Sequence, residues 1–389
     1  MVNNKKIIFL LPVWGGGGGE RVASDLSFNL PDFIEKIIVA FESKNYYPYK
    51  GKLISLHLPL STKPMLKLFN FLKGYFRFRK IILKERPDYV VSFGSLQNMI
   101  NILSFKKSII RVDNPISISH ERIAEKMYPF LVELFFNRAH KIIVVSKGLQ
   151  EELVEKFHIK KEKIVVIHNS IDTMAIKQLT EEDLEPHHRE IFRHPVIINI
   201  GSLIGQKGHI HLIRAFKKAK ETITDTKLVI LGEGILDSYL SQEVKKLDLE
   251  NEVYFLGWQK NPFKFLARSK VFVLSSMYEG FGIVLLEAMA CSVPVISSDC
   301  DFGPREILAP NMNRNDEIKD MEKGEYGILV PVPKTDEAEA IMAKAMVNLC
   351  NDANLAKELR EASQKRIRDF QIAQLIKRHE FLWKGTSSY

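Results

Sequence analysis

The sequence predicts an α/β protein built from two doubly wound domains. Short β-branched apolar runs alternate with amphipathic helical stretches along most of the chain. The alternation lapses once, near residues 181–193, and then restarts. The 389 residues suffice for two medium domains. A composition of 46% hydrophobic and 26% charged residues is that of an ordinary folded chain.

In the N-terminal half, Ile7–Leu11, Ile37–Val39, Tyr89–Ser92, Ile109–Arg111, Ile142–Val145 and Val165–Ile167 read as strands. Arg21–Leu30 and Lys147–Phe157 read as helices between them. Glu181–Arg193 is polar, carries Pro186, and reads as a linker. The expected first domain is therefore 1–188 and the second 189–370. His187, His188 and His194 cluster at the linker, but no carboxylate or cysteine completes a metal-ligand spacing.

Beyond the linker, Val196–Ile200, Lys227–Leu231, Val253–Phe255, Val271–Leu274 and Val293–Ser297 are buried-strand candidates. His209–Thr222, Leu236–Leu247, Pro262–Arg268, Val284–Ala290 and Glu337–Asn351 are the helices that follow. Leu355–Trp383 reads as one long charged helical pattern, and its last part, 371–389, is expected to pack back on the first domain. Two such domains facing each other leave a cleft at the carboxyl ends of their strands, where open parallel sheets bind ligands.

The net charge of +9 favours an anionic partner: a nucleotide phosphate, an acidic membrane surface or nucleic acid. No nucleic-acid recognition motif is present, so nucleic acid is not expected. Cys291, Cys300 and Cys350 form neither a metal spacing nor a disulfide framework, which fits a reducing cytoplasm. The apolar run after Lys5 ends in Pro12 and five glycines without a cleavage pattern, so it is expected to be a first strand and not a leader. Tyr128–Val145 is interrupted by Glu133, Arg138, His140 and Lys141 and is not expected to cross a bilayer. Lys63–Arg86 interleaves eight basic residues with Phe69, Phe71, Tyr75, Phe76 and Phe78. That pattern fits either an interfacial helix on an anionic leaflet or a core-facing helix with solvated lysines.

The densest chemical signal runs from Ser275 to Ile296: strand, glycine-bearing turn, helix, strand. Gly280 and Gly282 permit close backbone approach, and a helix start presents free N–H groups to a phosphate. Glu279 and Glu287 flank the turn. Carboxylates would repel a phosphate, so hydroxyl donors of a sugar or ribose are their natural partners.

Glu279-Gly280-Phe281-Gly282, followed by Glu287-Ala288-Met289-Ala290 and Pro294-Val295-Ile296, resembles the signature of the family 4 glycosyltransferases. The resemblance implies the GT-B fold, two Rossmann-like domains, and retention of anomeric configuration. It implies that Glu279 holds donor-sugar hydroxyls, that Glu287 holds the ribose, and that backbone at Gly282, Ile283 and Val284 meets the diphosphate. Gly201-Ser202-Leu203 with Lys207-Gly208 resembles the family's Gly-Arg-Leu…Lys-Gly loop. Lys207 thereby matches the lysine that neutralises the leaving diphosphate, whereas Ser202 stands where many members have arginine. Arg305, in Phe302-Gly303-Pro304-Arg305, is a candidate replacement for that cation. Gly232, Leu256 and Gly257 match strand-end turns beside the base.

In the first half, Gly17 and Gly18 before Glu20-Arg21 resemble a family glycine turn near the donor phosphate or acceptor. Asp113 falls where many members carry a histidine near the reacting centre, and His120 follows a few residues on. Either could orient the acceptor hydroxyl. Asp299-Cys300-Asp301 matches no ion site of this family and is expected to be a polar loop.

The expected reaction moves a sugar from a nucleoside diphosphate to an acceptor hydroxyl, with no cofactor and no metal. A UDP-sugar is the first expectation and GDP-mannose the alternative. The expected acceptor is a saccharide or lipid-linked saccharide in bacterial surface-glycan assembly, with the enzyme cytoplasmic and peripheral to the inner membrane. A non-catalytic nucleotide-sugar-binding subunit and a GT-B epimerase are readings of another class.

Overall fold

The protein is represented by a computed structural model that describes residues 5–14, 18–43, 47–59, 64–118, 123–314 and 316–384. It packs as two compact units, Met1–Ser170 with Ile372–Tyr389, and Ile171–Gln371.

Unit 1 is a seven-stranded sheet in the order β3-β2-β1-β4-β5-β6-β7, all pairs parallel. Its strands are β1 (Lys5–Trp14), β2 (Ile34–Ser43), β3 (Lys52–Ser55), β4 (Tyr89–Phe93), β5 (Ser108–Val112), β6 (Lys141–Val144) and β7 (Ile164–Val166). The helices are α1 (Gly18–Asn29), α2 (Pro64–Glu85), α3 (Ser95–Ser104), α4 (Ile123–Phe135) and α5 (Lys147–Phe157). β1 is an interior strand between β2 and β4, and its residues 7–11 are wholly buried, which is why it reads as a continuous apolar run. One apolar layer joins alternate β1 side chains to Val22 and Leu26 of α1. The other joins Ile8 and Leu10 to Phe78 of α2 and Ile100 of α3.

Unit 2 begins with α6 (Thr173–Thr180) and α7 (Pro186–Arg189). Then follow β8 (Val196–Ile200), α8 (His209–Ala219), β9 (Lys227–Leu231), α9 (Asp237–Lys246), β10 (Val253–Phe255), α10 (Phe263–Leu266), β11 (Val271–Leu274) and α11 (Ile283–Ala290). The unit continues with β12 (Val295–Ser298), α12 (Pro304–Leu308), β13 (Glu322–Lys323), β14 (Ile328–Val330), α13 (Asp336–Asn351) and α14 (Ala353–Arg366). The sheet order is β10-β9-β8-β11-β12-β14-β13, with only β13 antiparallel. The chain ends with α15 (Ile372–Arg378) and α16 (Phe381–Lys384), grouped with unit 1, where Leu375 joins the β1–α1 core.

Two boundaries differ from the sequence reading. Residues 171–188, expected in the first domain, pack in unit 2. Asn261 donates to the Leu179 carbonyl at 2.8 Å and Lys264 pairs with Glu185 at 2.6 Å, so the stretch is anchored to unit 2, with Leu184, His188 and Ile191 buried and most of the polar side chains of 181–193 exposed. The Glu185 carboxyl is held down at about 2 by its hydrogen bond to Lys264. The pattern at 355–383 is also not one helix. It breaks at Phe370–Gln371, where Gln371 is extended and the Phe370 carbonyl accepts from Ile171 N–H at 2.9 Å.

Candidate active site

Doubly wound sheets bind ligands where the strand order reverses, outside the carboxyl ends of the two strands involved. In unit 2 that point lies between β8 and β11. The loop after β8 carries Gly201 to Gly208, and the loop after β11 carries Ser275 to Gly282. Topology thus brings two segments together that lie about 70 positions apart in sequence.

Short hydrogen bonds join the loops. Met277 N–H donates to the Gln206 carbonyl at 2.7 Å, Gln206 Nε2 to the Tyr278 carbonyl at 3.0 Å, and Ser275 Oγ to the Lys207 carbonyl at 2.8 Å. Gly208 has φ 63°, and a Cβ there would lie 2.1 Å from the Ser275 carbonyl oxygen, so only glycine lets the loops close. Lys207 Nζ then reaches Glu279 Oε1 at 2.6 Å, and Ser276 Oγ donates to the same oxygen at 2.6 Å. Glu279 is buried and the Lys207 side chain keeps 22% exposure, which leaves the ammonium the more accessible partner. The Lys207 stem lies against Gly201, where a Cβ would stand 3.4 Å from its Cγ.

Gly282, at φ 86°, turns the chain into α11 and leaves the first N–H groups of that helix without intrahelical partners. Gly280 and Phe281 are buried beside it. Glu287 is buried one turn along α11 from Ile283, on the same helix face. At the neighbouring strand ends, Gly201 N–H donates to the Leu231 carbonyl at 2.9 Å, Gly232 N–H to Gly257 at 2.9 Å, and Leu256 N–H to Ile230 at 3.1 Å. Gly232, Leu256 and Gly257 therefore line up beside Gly201 along one edge of the crevice. Together these groups offer a cation and free N–H donors for a diphosphate, and carboxylates for hydroxyls.

Ser202 is exposed. Arg305, the candidate replacement for a cation there, is held at the loop after β12. Its Nε donates to Asp299 Oδ1 at 2.9 Å, a second N–H meets the other Asp299 oxygen, and further N–H groups meet the Asn313 and Asp316 carbonyls at 2.6 and 2.8 Å. A guanidinium so engaged ties down the loop after β12. It also occupies the first carboxylate of Asp299-Cys300-Asp301. The buried Cys300 thiol is pushed well above its ordinary value by desolvation.

Two residues invisible to the sequence reading support the Lys207 loop. His209, at the start of α8, is buried, and its Nε2 stands 2.9 Å from Asn199 Oδ1. Asn199 Nδ2 donates to the Val273 carbonyl at 2.7 Å, so Asn199 Oδ1 must accept and His209 Nε2 must carry the proton. Burial and the nearby Lys207 cation push this imidazole down to about 4.

In unit 1 the strand order reverses between β1 and β4. Gly17 and His120 lie outside the described residues; Gly18 opens α1. Asp113 follows β5 and accepts from Arg111 Nε at 2.7 Å. Arg111 is fully buried, bonds Asn169 through a second nitrogen and lies over the Phe93 ring at 5.8 Å. It went unnoticed because it sits inside an apolar strand run, and a charge inside such a run was the available signal. Burial, with a further contribution from Asp113, raises the Glu20 carboxyl above its ordinary value. A cavity of about 320 Å³ opens at the carboxyl ends of β2 and β3, lined by Glu42, Ser43, Ser55, His57, Leu58 and Pro59.

Comparison with known proteins places this geometry. Residues 181–366 match the model of the glycosyl transferases group 1, and residues 16–174 that of glycosyltransferase family 4. An uncharacterised glycosyltransferase of Methanocaldococcus jannaschii is 35% identical over 89% of this chain and 93% of its own. The N-acetylgalactosamine-N,N'-diacetylbacillosaminyl-diphospho-undecaprenol 4-alpha-N-acetylgalactosaminyltransferase of Campylobacter jejuni is 29% identical over 92% of this chain and 93% of its own. Among solved structures, Anabaena HepE in complex with UDP and glucose superposes with a TM-score of 0.75 at 17% identity, covering 98% of this chain and all of the other.

Proposed function

Because the chain belongs to the family 4 glycosyltransferases and has their GT-B fold, we propose that it transfers a sugar from a UDP-sugar to a hydroxyl of a lipid-linked saccharide, with retention and without a metal. The observation that carries this reading is Lys207 beside Glu279 at the unit 2 strand reversal, next to the turn into α11. Lys207 and the N–H groups of that turn receive the diphosphate, Glu287 accepts from the ribose, and Glu279 accepts from sugar hydroxyls. As the glycosidic bond breaks, negative charge grows on the leaving phosphate, and a fixed cation stabilises it most at that point. No protein nucleophile enters the scheme. The leaving phosphate takes the acceptor proton on the face where the new bond forms.

Asp113, held by Arg111, orients the acceptor hydroxyl, and the cavity at β2 and β3 offers room for further sugars. The Campylobacter relative's name, which specifies a diphospho-undecaprenol-linked acceptor, supports a lipid-linked substrate, and the UDP in HepE supports the nucleotide. The proposed place of action is the cytoplasmic face of the inner membrane.

Calorimetry with UDP and GDP, followed by assays of nucleoside diphosphate release from UDP-sugars with and without lipid-linked saccharides, tests this reading. UDP binding with acceptor-dependent release supports it. Absence of binding by any nucleotide or nucleotide sugar would sink it.

A further inference from the structure

α2 has two apolar faces, and unit 1 uses only one of them. On the inward face, Phe78 is fully buried, Asn70 Nδ2 donates to the Pro59 carbonyl at 2.7 Å, and Gly74 lies so close to Phe41 that a Cβ would stand 2.7 Å from its ring. Arg77 also turns inward, to the Leu56 carbonyl. Met65, Leu68, Phe69, Leu72, Phe76 and Leu83 are all exposed, Met65 by 87%. At 3.6 residues per turn these six fall in one stripe opposite Asn70, Gly74 and Phe78, roughly 27 Å long. Water does not tolerate such a stripe cheaply, because soluble proteins rarely expose contiguous apolar patches of this size.

The flanks of the stripe are basic. Lys73, Lys80 and Lys84 follow along one side, Arg79 lies on the other, and all four are exposed. Lys73 Nζ stands 5.1 Å from the centre of the Phe69 ring, so cation and apolar surface are presented together. The one acid of the helix, Glu85, pairs with Lys52 and Lys6 and does not neutralise the row. α3 packs against both α2 and α4, and α4 adds exposed Phe130 and Leu134, one turn apart. Right-handed crossovers place these three helices on the same side of the sheet.

We infer that this face docks the protein on an anionic bilayer, with the stripe sunk to the acyl boundary and the lysines at the level of the lipid phosphates. The chemistry is complementary: apolar side chains leave water while their flanking cations keep anionic partners. A second copy fits poorly, since pairing two such stripes brings the lysine rows together. Among the described residues no helix is long and apolar enough to cross a membrane, and the inward bonds of α2 hold the helix along the surface. The inference stands apart from sugar transfer.

Its test needs neither donor nor acceptor. The full chain is sedimented with phosphatidylcholine vesicles with and without phosphatidylglycerol. Binding is expected only with phosphatidylglycerol. Lys73→Glu, Lys80→Glu and Lys84→Glu together should weaken it on the order of 100-fold. Leu72→Ser and Phe76→Ser should each weaken it roughly tenfold, with the unfolding temperature of every variant unchanged. Equal binding by wild type and variants overturns the inference. So does a fall in oligomer mass in the variants without vesicle binding, or tighter binding to an oligonucleotide than to vesicles.

Discussion

Lys207 Nζ and Glu279 Oε1 stand 2.6 Å apart, although 71 residues separate them in sequence. Ser276 Oγ donates to the same carboxylate oxygen. Each partner thus fixes the other where a diphosphate and a sugar would meet, and removing one leaves the other poorly compensated in a half-buried place.

The proposed division of roles makes three substitutions fail differently. Lys207→Ala should cut turnover by on the order of 100-fold to 1,000-fold while changing UDP affinity less. Glu287→Ala should weaken UDP binding itself by about tenfold or more, the worth of a hydrogen bond to a charged group. Glu279→Ala should bind free UDP normally and turn over the UDP-sugar poorly. Calorimetry with UDP and steady-state rates on the three purified variants read this out. Equal loss of UDP affinity in Glu279→Ala and Glu287→Ala would refute the assignment.

Transfer should be unaffected by EDTA and by added manganese. Asp299, the first carboxylate of the Asp299-Cys300-Asp301 triplet, is already paired with Arg305 through two oxygens. Activity abolished by EDTA and restored by manganese would show that the reading of this site is wrong.

Gly208→Ala should destabilise the protein by at least about 1 kcal/mol, the cost of the left-handed backbone alone, with the added Cβ overlap at the Ser275 carbonyl making it worse. Gly205→Ala, in the same loop, meets nothing within 4 Å and serves as the control. Calorimetric scans should show a lower transition for the first and little change for the second. Equal transitions would mean that the two loops do not close as described.

His209 should make unit 2 acid-sensitive. Its imidazole titrates near 4 when folded, below its ordinary 6.5, so the unfolded chain binds the proton more readily. The stability it contributes is complete above pH 6.5 and declines as pH falls from there toward 4, by on the order of 3 kcal/mol in total. His379, buried in unit 1 and also near 4, acts with the same sign. Urea unfolding between pH 7 and 5 should therefore show falling stability, with a shallower slope in His209→Gln. An identical slope in that variant would remove His209 from the account.

The sequence by itself determined whatever depends on neighbours along the chain. A strand buried on both faces must be a continuous apolar run, and β1, β8 and β11 are legible for that reason. The glycine turn into α11 and the two glutamates that flank it are likewise local, as is Lys207 before Gly208. β3 is not legible because it is an edge strand without a buried residue, β13 because it is two exposed residues long, and β14 because its buried run is only three residues long. Tertiary structure alone decided which charges meet. Arg305 meets Asp299, the buried Arg111 meets Asp113, and Lys207 finds Glu279. It also decided which face of α2 is covered, since both faces are apolar and periodicity cannot rank them. Periodicity along a chain reports burial against whatever lies opposite, while an ion pair across two loops exists only once the strand order has brought their ends together.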